Sequence, residues 1–155
     1  MKYESLINDY AAGPQALREA VRGMTRDQVL ARPVPGKWST LEVVCHIADF
    51  EIVGADRIKR VIAQNQPTLP DGDEQAFAAA LAYHHRELEE ELQSIGAIRA
   101  STARILRTLK DDDFGRIGKH TAAGPLTLQQ LVERMAKHIG HHVGFINEKR
   151  KALGI

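Results

Sequence analysis

His138-Ile139-Gly140-His141-His142 places three of the chain's seven histidines within five residues, on a segment that otherwise reads as one long helix. At about 100° per residue, Leu128, Leu131, Val132, Met135, Ile139, Val143 and Ile146 form a single apolar stripe. His142 lies inside that stripe. His138 lies at its edge, still facing inward, whereas His141 falls on the side of Arg134 and Lys137 and is expected in solvent. Residues three and four apart share a helix face. His138 and His142 can therefore aim two imidazoles at one point, as i, i+4 histidines do when they hold a metal. The same pattern also suits a core histidine bonded to a neighbour, with two boundary histidines beside it. The segment alone leaves both readings open, and a metal would need a third ligand from elsewhere.

This last helix opens at a capping box, Thr127 to Gln130, with Leu126 and Leu131 as a hydrophobic staple, and its pattern runs to about Ala152. Three further helical segments precede it. Residues 3–22 carry Leu6, Ile7, Tyr10, Leu17 and Val21 at helical spacing, with a break expected at Gly13-Pro14. Thr25-Arg26-Asp27-Gln28 has capping-box spacing, and Arg32 to Lys37, with two prolines, is an extended connection. A second long helix starts at the Ser39/Glu42 capping box, with Trp38 and Val43 as its staple, and runs to about residue 63. Its main buried face is Leu41, Val44, Ile47, Ala48, Ala55, Ile58 and Ile62; by periodicity His46 is a boundary residue. A third pattern, with N-cap spacing at Asp71 and Glu74, continues through Phe77, Leu81, Leu88, Leu92, Ile95, Leu106 and Leu109 to about Lys110. At 1.5 Å per residue that rod would reach roughly 57 Å, so a bend is expected near Gly96. His84 falls on its apolar stripe, as a buried hydrogen-bonded histidine or a pocket-lining one, and Phe114 to Gly124 reads as a loop with His120 exposed. Four amphipathic helices without a convincing strand pattern predict an all-α fold, an antiparallel four-helix bundle in one domain, 1–155.

The bulk composition bounds the function. With 21 basic and 20 acidic residues, net charge +1 and no long block of either sign, the chain carries no nucleic-acid or anionic-membrane footprint. No apolar run approaches a membrane span, and the first residues lack a signal-peptide core. One cysteine, Cys45, excludes an internal disulfide framework and suits a reducing, cytoplasmic setting. Val43, Phe50, Val53 and Val61 lie outside the main buried stripe of the second long helix, an apolar surplus that predicts a homodimer.

Two segments taken together are recognisable: Gly36-Lys37-Trp38-Ser39 followed by Glu42 and Cys45-His46-Ile47-Ala48-Asp49-Phe50-Glu51, and His138-x-x-His141-His142. In order and separation they resemble the DinB/YfiT-like superfamily of metal-dependent enzymes over essentially the whole chain. The resemblance implies a divalent metal, zinc or nickel, inside the bundle, held by His46 from the second long helix and by His138 and His142 from the last. It moves His46 inward from its boundary reading. It also implies a small-molecule substrate, for some relatives a low-molecular-weight thiol such as bacillithiol, mycothiol or glutathione.

Three neutral imidazoles suit a late transition metal and leave positions for water or substrate. Such a site would activate a nucleophile, water for hydrolysis or a thiol for transfer. Asp49 and Glu51 are candidate carboxylates for orienting a ligand histidine, with Glu51 read as solvated surface charge. Tyr83 and His84 are the suggestive wall residues, and Cys45 is read as core packing. The competing class is a metal-stabilised bundle without turnover, serving as a binding or stress-related module, with a closed site and a fourth protein ligand such as His84.

Overall fold

A computed structural model describes residues 2–155. Among them the chain forms six helices: α1 (Glu4–Val21), α2 (Arg26–Leu30), α3 (Thr40–Ala63), α4 (Glu74–Ala80), α5 (Leu88–Leu106) and α6 (Leu128–Leu153). Three short strands accompany them: β1 (Thr68–Leu69), β2 (Ile117–His120) and β3 (Gly124–Thr127). The long helices α1, α3, α5 and α6 make the expected four-helix bundle. The capping boxes at Thr25, Ser39 and Thr127 all form, so α2, α3 and α6 begin where the sequence places them.

In the bundle α1 and α3 each pack against α5 and α6. Two core clusters fix the directions of the helices. One end gathers Ile7, Ile58, Leu106 and Leu128; the other gathers Leu17, Val43, Leu92 and Ile146. Hence α1 and α6 run one way, and α3 and α5 the other. The antiparallel neighbours α3 and α6 bring residues 46 and 138–142 to the same level, which is what assembles the site.

The parallel pair α3 and α5 demands a return path. The 24 residues of α3 span about 36 Å, and residues 64–87 must carry the chain back over that length. The continuous helix expected from Asp71 to Lys110 is therefore broken, and not at Gly96. Helix α4 is capped by Asp73 rather than Asp71 and ends at Ala80; Ala82 adopts a left-handed backbone, φ 53°, and a 3-10 turn at Tyr83–His85 leads into α5. Gly96 sits uneventfully inside α5. Leu81 and Leu88 keep helical spacing across the break, which is why the pattern reads as uninterrupted.

No break occurs at Gly13-Pro14, and α1 runs straight through it. Pro14 has no N–H to offer the Tyr10 carbonyl four residues back. Arg99 Nη1, on α5, donates to that oxygen instead, at 2.6 Å. Gly13 makes the approach possible, since a Cβ there would stand 2.5 Å from the same Nη1.

The expected loop from Phe114 to Gly124 contains β2, which pairs parallel with β1 and antiparallel with β3. Strands of two to four residues are too short to show alternation in the sequence. They close one end of the bundle, burying Leu69 and Leu126 against Ile58 and Val61. His120, expected in solvent, is buried; its Nδ1 accepts from the Ala122 and Ala123 N–H groups at 3.2 and 3.1 Å and so closes the β2–β3 turn.

Part of the apolar surplus behind the homodimer expectation is covered within the chain, while Phe50 and Val53 stay half-buried. Val43 and Val61 are buried, and Phe50 packs on His46 with ring centroids 4.6 Å apart. No described helix is long and apolar enough to cross a membrane.

Candidate metal centre

His46 lies seven residues past the Ser39 cap of α3, and every residue from Ser39 to Asp49 is buried. A helix covered on all sides has no polar face, so the boundary position that periodicity assigns to His46 does not exist there. The return segment supplies the extra cover: Phe77 packs on Phe50 with tilted rings, centroids 5.5 Å apart, and Tyr83 packs with Leu41 and Cys45. Opposite, α6 presents His138 and His142 one turn apart, while His141 stays exposed as expected.

The three inward histidines converge. His46 Nε2 lies 3.2 Å from His138 Nε2 and 3.1 Å from His142 Nε2. Zinc–nitrogen bonds of 2.0–2.1 Å at tetrahedral angles would set neighbouring nitrogens about 3.3 Å apart, so the donor set fits a single ion. Burial, and then mutual repulsion, pushes His138 down to about 4 and His142 down to about 3; burial lowers His46 as well, against the pull of Glu74 and Asp49. At neutral pH all three imidazoles are therefore uncharged, the form that binds a metal.

The cluster opens onto a cleft of about 670 Å³ lined by the Gly36–Trp38 segment, by α3, by the start of α4 and by α6. Trp38 lies 5.3 Å from His46 and Phe145 lies 5.6 Å from His142, ring to ring. Glu74, the first residue of α4, sets Oε2 4.0 Å from His46 Nε2. Its sequence signal is faint, because the Asp71/Glu74 spacing reads as a cap while Asp73 does the capping.

The sequence model of the DinB superfamily matches residues 9–146. The chain belongs to the DinB superfamily. Its relatives include proteins named "putative metal-dependent hydrolase". One from Oceanobacillus iheyensis is 27% identical over 94% of this chain and 85% of its own length; one from Geobacillus kaustophilus is 28% identical over 91% and 80%. The solved structure of YfiT from Bacillus subtilis, described as a probable metal-dependent hydrolase with an unusual four-helix bundle topology, superposes with a TM-score of 0.91. It is 25% identical and covers 97% of this chain and 87% of that one.

Several residues of this DinB-superfamily chain sit away from the places the sequence suggests. His84 is largely exposed, with Nδ1 3.4 Å from Glu42 Oε1, and belongs to neither the cluster nor the cleft, so it supplies no fourth ligand. Tyr83 is fully buried, and burial and then Asp49 raise its phenol far above the ordinary range. The break before α5 turns both residues away from the site. Asp49 orients no histidine: Arg86 Nη1 holds its two oxygens at 2.9 and 3.0 Å and donates from Nε to Glu91 at 2.8 Å. The Nδ1 atoms of His46, His138 and His142 are buried without a protein partner, so aromatic packing alone sets the ring angles. Cys45 is a core residue as expected; burial pushes its thiol up to about 12, which removes it as a nucleophile.

Glu51 is the clearest reversal. Read as surface charge, it is fully buried and accepts from Arg99 Nη2 at 2.7 Å. Arg99, itself fully buried, also bonds the Met135 carbonyl of α6, one turn before His138. Its signal was present, since Ile95, Arg99, Thr102 and Leu106 follow at intervals of four, three and four, which puts an arginine on an apolar stripe.

Proposed function

We propose that the protein is a metal-dependent hydrolase of small molecules, with His46, His138 and His142 holding a divalent transition metal, zinc or nickel. The convergence of His138 Nε2 and His142 Nε2 on His46 Nε2, at 3.2 and 3.1 Å, at the base of a cleft carries this reading. The names of the relatives support the hydrolytic side of it. A divalent ion held by three neutral imidazoles keeps its full charge, polarises a substrate carbonyl and favours the deprotonated form of water or thiol.

The residues of the chain supply the rest. The imidazoles offer Nε2 lone pairs without having to shed protons. Glu74 Oε2 is the carboxylate nearest the cluster and is the base that accepts a proton from an attacking water. Trp38, Phe50 and Phe145 wall the reacting centre with apolar surface, which strengthens every charge interaction inside.

Thiol transfer is the second reading and uses the same three ligands. An open cleft without a fourth protein donor among the described residues favours either reaction over a purely structural metal. The experiment is to load the protein with cobalt, titrate it with small thiols, and assay it in parallel against a panel of small esters and amides. Hydrolysis that falls about a hundredfold or more in Glu74→Gln at unchanged metal content is the expected result. Thiolate-to-metal charge transfer without hydrolysis selects the transferase reading, and failure to bind any exogenous ligand, azide included, leaves a structural metal.

A further inference from the structure

Along α6, His138, His142, Phe145 and Lys149 follow one another at intervals of four, three and four, and all four line the cleft. Lys149 is unusual among them, since only 2% of it is exposed although it carries an ammonium group. Its Nζ donates to the Phe145 carbonyl at 3.3 Å, and among the described residues it forms no ion pair. An ammonium has three N–H donors, so one carbonyl leaves it undersupplied, and a buried charge without a counter-charge is costly. Burial lowers the basicity of Lys149, and nearby Lys37 adds to the effect, against the pull of Glu148 and Glu42.

None of the carboxylates in range pairs with it among the described residues. Glu42 is held by Arg32 and by the Ser39 N–H. Glu148 and Glu74 line the same cleft but lie in solvent, and Lys37 lines it as a second, exposed cation. Lys149 itself lines the cleft, with Nζ 5.9 Å from the Phe145 ring centre, so an anion lying there can take up its remaining donors. Lys149 follows His142 by seven residues, about 10 Å along the helix axis, and helical side chains lean back toward the N-terminus. One small molecule can span the two.

We propose that the cleft binds a small-molecule substrate bearing a carboxylate remote from its reacting group, and that Lys149 receives this carboxylate while the reacting group lies at the histidines. The inference rests on the reading of the histidine cluster as the reaction site. A carboxylate fits better than a phosphate, because no arginine and no glycine-rich loop lines the cleft.

The test uses the cobalt-loaded protein and two ligands that share one thiol anchor, 3-mercaptopropionate and 3-mercaptopropionamide. One charge-assisted hydrogen bond predicts that the acid binds about tenfold or more tighter than the amide. In Lys149→Met that preference falls to about twofold or less with the affinity for the amide unchanged, and Lys149→Arg retains most of it. Equal affinity of the wild-type protein for acid and amide overturns the inference with no variant needed. So does binding of neither ligand, or a preference that survives in Lys149→Met. A protein that takes up no cobalt loses the metal reading, and this inference with it; one that takes up cobalt and ignores the carboxylate keeps that reading and loses only the role of Lys149.

Discussion

Each of the three imidazoles turns one ring nitrogen to the common centre and leaves the other buried without a partner. Protonating any of them would place a charge in a dry site beside two neighbours of the same kind. The folded chain therefore holds His138 near 4 and His142 near 3, against an ordinary value of 6.5 that the unfolded chain recovers. The sign follows from linkage. Above pH 6.5 neither state binds these protons and stability is unaffected. Below it the unfolded chain takes up protons that the fold refuses, so stability falls as pH drops toward 4, by up to about 1.4 kcal/mol per pH unit for each histidine. Denaturant unfolding of metal-free protein should show this loss between pH 6.5 and 5, above the range where carboxylates titrate. His138→Gln/His142→Gln should flatten the slope, and a slope equally steep in that variant would contradict the account.

Between elements, Arg99 is the tie. From α5 it reaches the Tyr10 carbonyl on α1, Glu51 on α3 and the Met135 carbonyl on α6, so one guanidinium joins all four long helices one turn before His138. Arg99→Met should cost about 3–5 kcal/mol in unfolding free energy, because it strands the Glu51 charge and the carbonyl orphaned by Pro14. Arg99→Met/Glu51→Leu should recover much of that loss; a single variant within 1 kcal/mol of wild type, on the order of one ordinary hydrogen bond, would remove the tie from the account. The limits of sequence reading show at these same residues. Helix starts were legible because Ser39/Glu42 and Thr127/Gln130 are local devices, and His138 and His142 were legible because one helix face holds both. His46, Glu51 and the break at Ala80 were not, because each depends on distant partners: residues 64–87 fold back along α3 and cover its first half, and Arg99 from α5 holds Glu51 inside the bundle. Gly13-Pro14 misleads for a related reason, since the bond that repairs it comes from Arg99, 89 positions beyond the Tyr10 carbonyl it reaches.

At the scale of the whole molecule, the bundle directions and the return segment converge on one result, a pair of antiparallel helices that meet at His46, His138 and His142. The function proposed for the cleft above them, with Glu74 on one wall and Lys149 on another, requires that meeting point to hold a metal. The direct measurement is the metal content of protein purified without a histidine tag, wild type beside four single alanine variants. The account predicts about one divalent transition metal per chain in the wild type and in His141→Ala, and loss of stoichiometric metal in His46→Ala, His138→Ala and His142→Ala. Wild-type protein that binds no such metal under saturating zinc or nickel, or equal loss in His141→Ala, would contradict it.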